Sequence, residues 1–262
     1  MNAFYSSNPL WLNGGKPYWD LALALVTAHL AGDFVFQTGR MVAAKHRMSV
    51  LLAHAAIQAV LAYVLAGRWS VGTIPGVVFV SHGLVDFWKA RAPGASAARF
   101  WIDQVAHLAV ITLLVWWSGH TQAPGYWTQM LGAGAWRLLV FASGAILCVR
   151  VCSIVVGFWV QPYLAEINEA AKEGLGTGSS RGLTNGGRVI GQWERALVFI
   201  FVFMGQPTAI GFLIAAKSIF RFGELMDRRN RMEAEYITIG TLMSFGMAIA
   251  IALGTLLLCR RL

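Results

Sequence analysis

Histidine and aspartate recur four residues apart in two apolar stretches, as HLAGDF at residues 29–34 and HGLVDF at residues 82–87. On a helix that spacing puts both side chains on one face, about 6 Å apart along the axis. Each pair is followed by a further histidine, His54 or His107, inside the dipeptide AH. Imidazole nitrogens and carboxylate oxygens together suit a divalent ion, Zn²⁺ first, with Mn or Fe also at home in a mixed nitrogen and oxygen set. The candidate ligands are therefore His29, Asp33, His54, His82, Asp86 and His107. Asp103 lies one helical turn before His107, and its counterpart in the first set is Val50. An acid present once beside a paired ligand set is a candidate general base. Next to a metal that polarises an ester or phosphoryl oxygen, it would serve hydrolysis or group transfer.

The offset from residue 29 to 82, from 33 to 86 and from 54 to 107 is 53 in every case, and Phe34/Phe87 and Ala53/Ala106 keep it. Six histidines and few aspartates do not align this way by accident, so the pattern reads as a duplicated two-helix hairpin. Two membrane crossings per unit make the copies parallel and bring equivalent residues to equal depth. One ion per copy and a single shared ion both fit the spacing. A lone histidine and aspartate pair on an apolar helix serves equally well as a hydrogen bond between helices; the second copy is what favours metal.

The elements that must hold these residues are helices in lipid. The chain is 57% hydrophobic and 13% charged over 262 residues, about half the charge of an average soluble chain. Apolar runs near residues 19–37, 50–66, 72–91, 100–118, 136–160, 187–204, 206–222 and 235–259 give an all-α, polytopic transmembrane bundle of about eight helices. The first four come from the duplicated hairpin. The expected organisation is a His/Asp unit over 1–120, a linking fifth helix over 121–172, a flexible Gly/Ser-rich cytoplasmic loop at 173–188, and a three-helix unit over 189–262.

The net charge of +9 lies in short loops. No basic run is interleaved with aromatic residues, so a nucleic-acid partner is not expected. Basic loops orient a membrane protein with their side in the cytoplasm, which places the amino terminus outside in a bacterial inner membrane. Lys45, Lys89, Arg91 and Arg99 fall at that face and are candidates for an anionic headgroup or phosphate. Membrane lipids are the expected surroundings, and small residues on helix faces would permit a homodimer. In the carboxyl half, Glu194, Arg195, Lys217 and Arg221 are expected to form structural ion pairs or to shape a headgroup pocket. Cys148, Cys152 and Cys259 lie in apolar stretches and read as small hydrophobes.

The blocks AHLAGDFVFQ at 28–37, KH at 45–46, LLAH at 51–54, SHGLVDFWKA at 81–90 and IDQVAHL at 102–108, in that order, resemble a bacterial multi-pass membrane family, domain of unknown function 3307. The resemblance covers about the first 120 residues. GRVIGQWER, GFLIAAKSIFRF and AEYITIGTLMSF further on resemble the extension of its longer members. It implies a family and no activity. The functional expectation is an inner-membrane metalloprotein, a hydrolase or transferase acting on a lipid or isoprenoid substrate. The alternatives are a proton- or metal-coupled transporter and a non-catalytic membrane scaffold.

Overall fold

The computed structural model describes residues 18–91, 96–119, 124–172, 185–225 and 231–262, and every regular element among them is helical. Of the Gly/Ser-rich stretch at 173–188, all but residues 185–188 lies outside the described residues. Among the described residues five helical segments are long and apolar enough to cross a membrane, at Trp19–Phe36, Met48–Ala66, Ala97–Ser118, Ala133–Ala170 and Met232–Arg261. The chain is a multi-pass membrane protein by that measure. It divides into two units, one ending at Ser143 and closed by Leu257–Leu262, the other running from Gly144 to Leu256. The division falls inside a helical stretch with no linker.

In the first unit α1 (Tyr18–Ala31) widens into one π-helical turn at Gly32–Phe36, closed by the Gln37 amide donating to the Gly32 carbonyl. A short α2 (Gly39–Ala43) starts on Thr38, whose hydroxyl accepts from the Met41 amide. Then follow α3 (Met48–Ala66), α4 (Thr73–Arg91) and α5 (Ala97–Gly119). Gly67 ends α3 in the left-handed conformation, φ 61°, which a side chain would disfavour. Its carbonyl accepts from the Tyr126 amide of α6 (Tyr126–Leu131), and α7 (Ala133–Ile146) completes the unit.

The four long helices close a ring: α1 packs on α3 and α5, and α4 packs on the same two. Helix α1 therefore stands diagonal to α4, and α3 to α5. Over half of its length the unit is polar inside and apolar outside. Leu84, Ile102 and Leu113 are each 63% exposed, whereas His54, Gln58 and Asp86 are at most 1% exposed. That inversion is the signature of a solvent that is itself apolar, because lipid gives buried polar groups no alternative partner.

The interior has two halves. Toward the start of α1, Leu21, Ala24, Leu25, Ala28, Ala62, Ala66, Ile74 and Leu114 form a dry cluster whose alanines allow close helix approach. Toward its end lie the histidines and aspartates. The apolar half is closed by a buried ion pair, Asp20 Oδ1 to Arg68 at 2.9 Å, while Asp20 Oδ2 accepts from the Gly125 amide at 2.8 Å. One carboxylate thus ties the start of α1 to the end of α3 and the start of α6.

The second unit contains a π-helical turn at Leu147–Val151, α8 (Cys152–Lys172), α9 (Gly186–Phe203), α10 (Pro207–Leu225) and most of α11 (Arg231–Arg261). Its core joins Cys148, Val198, Phe199, Val202, Ile210, Phe245, Ala248 and Ala252. Gly144 lets Thr255 approach the α7 backbone where a Cβ would collide.

Removing one partner of a buried ion pair costs about 3–5 kcal/mol, because the other charge is left alone. Arg68→Met should therefore lower thermal stability in detergent sharply, and Asp20→Leu/Arg68→Met should recover much of the loss. Thermal melts of both variants check this.

Candidate metal centre

The polar half of the first unit is built around Asp33. The π-helical turn carries it, and Gly32 beside it has no side chain. A Cβ at Gly32 would fall on the Gln58 amide group, so glycine is what lets Gln58 donate to Asp33 Oδ1 at 2.6 Å. The same oxygen lies 3.1 Å from His54 Nε2 and 3.3 Å from His82 Nε2. Those two nitrogens face each other at 3.1 Å. Each nitrogen can donate to Asp33 Oδ1 when it carries a proton, and offers a lone pair to the centre when it does not.

The three atoms form a nearly equilateral triangle. Around a tetrahedral ion with bonds of about 2.0–2.1 Å, neighbouring ligand atoms stand roughly 3.3 Å apart. The edges of 3.1, 3.1 and 3.3 Å match one face of such a tetrahedron. Among the described residues, Asp33, His54 and His82 are one of three groups with donors close enough to hold an ion; the others are His29, His82 and His107, and Asp33, Asp103 and His107. Each group takes ligands from both sets of the sequence repeat. Of the two arrangements the spacing allows, one ion each for His29, Asp33 and His54 and for His82, Asp86 and His107, or a single ion on a subset, these distances bring together ligands of both sets.

The remaining residues surround this centre. His29 Nδ1 lies 3.8 Å from Asp33 Oδ2, and its Nε2 is 3.2 Å from the Gln104 side chain. The rings of His82 and His107 stack at 4.2 Å, and His29 tilts on His107 at 4.9 Å. A cavity of about 20 Å³ beneath His29, His82 and His107 can admit one water, which needs about 10–15 Å³ by that measure. Buried and without a hydrogen-bond partner are His54 Nδ1, His107 Nε2 and Asp103 Oδ1. The last two are only 3.4 Å apart, close enough for attraction though not aligned as a hydrogen bond. Orphaned donor and acceptor atoms in a buried polar cluster are what a bound ion or water would satisfy.

Two lysines set the charge balance. Lys45 donates to Asp86 Oδ2 at 2.7 Å and is itself buried. Lys89 donates to Asp103 Oδ2 at 2.5 Å, from a side chain that remains 40% exposed. Three carboxylates thus face two ammoniums, leaving Asp33 without a lysine partner. The cations expected to meet an external anion are in these two cases paired inside the bundle. Arg91 folds over the Phe87 ring, 3.3 Å from its centroid, at the exposed end of α4, and Arg99 starts α5 at the same end.

Sequence spacing gave the histidines and aspartates but missed Gln58, Gln104 and Gly32. Gln58 had a readable signal, one helical turn after His54 in a helix otherwise almost wholly apolar. Of the four residues expected as ion pairs in the carboxyl half, Glu194 and Lys217 pair at 2.7 Å. Arg195 does not: it donates to Ser244 and the Val149 carbonyl. The Arg221 side chain lies outside the described residues.

The helices and the site together define a multi-pass membrane bundle with a buried His/Asp cluster able to hold a metal ion. Residues 21–130 match the model of a family described as a protein of unknown function, DUF3307. The matched stretch runs from α1 to α6 and so takes in the whole cluster. No curated protein and no solved structure matches the chain.

Gly32→Ala should displace Gln58 and cost about 1–3 kcal/mol by overpacking. Shortening the partner in Gly32→Ala/Gln58→Ala should relieve that clash. Denaturation midpoints of the two variants, compared with Gln58→Ala alone, test the dependence of one residue on the other.

Proposed function

We propose that this protein is a bacterial inner-membrane metalloprotein, with one divalent ion, Zn²⁺ first and Mn or Fe next, held by Asp33, His54 and His82. The observation that carries the reading is the triangle of donor atoms with edges near those of a tetrahedral site, centred on the carboxylate that no lysine neutralises. His29 and His107 supply further nitrogens within the same volume, and Gln58 orients Asp33 as an outer partner. The diagonal placement of α1 against α4 and of α3 against α5 is the arrangement a parallel duplication of a two-helix hairpin would produce. Helix α4 lies in a ring with three apolar spans of its own length, so we read it, and α9 and α10, as crossing the membrane to make eight. The lysine-bearing end then faces the cytoplasm and the amino terminus lies outside.

The proposed reaction class is hydrolysis or group transfer at an ester or phosphoryl group of a lipid or isoprenoid. A divalent ion in this site would polarise the oxygen under attack. Asp103, with one oxygen held by Lys89 and the other 3.4 Å from His107 Nε2, is the base that takes a proton. Arg91 and Arg99 at the rim favour an anionic head group.

A transporter is the reading to set against this, and the string of contacts from Lys45 through Asp86, His82, Asp33, His29, Gln104 and Asp103 to Lys89 is what favours it. That string begins and ends at the same end of the bundle. The dry cluster of Leu21, Leu25, Ile74 and Leu114 fills the other half. A site entered from one face suits chemistry better than passage.

Purified protein should contain about one equivalent of Zn, Mn or Fe by elemental mass spectrometry. Asp33→Asn and His54→Ala should lose it, while Gln58→Leu should weaken affinity by about 10- to 100-fold, as outer partners do. A wild-type protein free of transition metal would mean that a proton on an imidazole balances Asp33, and would move the reading to proton handling.

A further inference from the structure

The second unit contains an open-sided cavity of about 520 Å³ lined by α8, α9, α10 and α11. That volume lies within the range of about 300–1,000 Å³ usual for small-ligand sites. Glycines make the room: Gly187 and Gly191 on α9 and Gly240 on α11 face it, and a Cβ at Gly191 would press on the Arg195 guanidinium. Val156 and Val160 of α8, Ile190 of α9 and Leu213 of α10 give it apolar walls.

Among the described residues two cationic side chains line the cavity, and they are not equivalent. Lys217 is neutralised by Glu194 at 2.7 Å. Arg195 is 3% exposed and hydrogen-bonds only to neutral groups, the Ser244 hydroxyl at 2.9 Å and the Val149 carbonyl at 3.2 Å, while Glu194, near enough to attract it, is bonded to Lys217. Its Nε is buried with no hydrogen-bond partner, and among the described residues no carboxylate pairs with it. A guanidinium buried in this way with no carboxylate bonded to it is costly, and in an intramembrane setting it marks a binding site by default. Its planar fork of donors is matched to a carboxylate or phosphate.

The rest of the cavity says what the anion is attached to. Lining residues on α9 run from Gly187 to Arg195 and on α11 from Tyr236 to Ser244, so the space extends about 12 Å along the helices from the Arg195–Ser244 end. Tyr236 and Thr241 add hydroxyls along one side. We propose that this cavity binds an amphiphile with a single anionic head group, a carboxylate or a phosphate. Arg195 and Ser244 take the head, and the apolar walls of α8, α9 and α10 take the chain. The site is separate from the His/Asp cluster and does not depend on the metal reading.

The test uses full-length protein in phosphatidylcholine nanodiscs, with a pyrene-labelled hexadecanoic acid as probe and its methyl ester as the uncharged control. The acid should bind saturably, the ester at least tenfold more weakly, and Arg195→Gln should lose at least tenfold for the acid. Lysophosphatidic acid should displace the probe and inorganic phosphate should not. Equal binding of acid and ester, unchanged binding by Arg195→Gln, or displacement by inorganic phosphate would each overturn the proposal. Should Arg195→Gln fail to fold, Ala216→Trp fills the cavity from α10 and leaves Arg195 in place. Loss of acid binding in that folded variant supports the site, and retention overturns it. Metal content of the first unit should be the same in all these variants.

Discussion

The interaction on which the first unit depends is the convergence of three hydrogen-bonding side chains on one oxygen of Asp33. Gln58, His54 and His82 come from two helices other than its own and reach Oδ1 within 3.3 Å. In water such a carboxylate would be solvated at no cost to the fold. Inside a bundle whose outer face is apolar, its charge must be met by protein or by something the protein binds. The π-helical turn at Gly32–Phe36 and the bare backbone at Gly32 are local departures from a regular helix that serve this convergence.

From that requirement follows the polarity of the interior. The two lysines satisfy Asp86 and Asp103 from the end of the bundle where α3 begins and α4 ends. The opposite half is sealed by alanine and leucine packing and by the Asp20–Arg68 pair. Charge is thus fixed at both ends of the unit, and only the Asp33 centre is left with a deficit. Site and dry plug are two halves of one helix bundle, which is why the cluster can be buried and still lie near a single face.

How much of this was legible depended on whether the signal was spacing or reach. Histidine and aspartate at four-residue intervals declare a shared helix face, and apolar runs of about 20 residues declare spans. Neither says which helices become neighbours, so the mixing of ligands between the two sets could not be read. Lysine presents a different difficulty. A flexible four-carbon stem beside a boundary is compatible with turning outward to a headgroup or inward to a carboxylate, and Lys45 turns inward to Asp86. Arg195 and Glu194 are adjacent in sequence and so looked like members of one ionic set. Packing separates them, giving Glu194 to Lys217 and Arg195 to Ser244.

The central claim is that histidine and carboxylate from α1, α3 and α4 meet around one ion. X-ray absorption spectroscopy at the edge of the metal carried by the purified protein reads that first coordination shell directly. The account predicts nitrogen and oxygen neighbours at about 2.0–2.1 Å with the multiple-scattering pattern of imidazole and no sulfur, and a loss of part of the imidazole pattern in His82→Ala. A sulfur shell near about 2.3 Å, or a shell unchanged by His82→Ala, would contradict it.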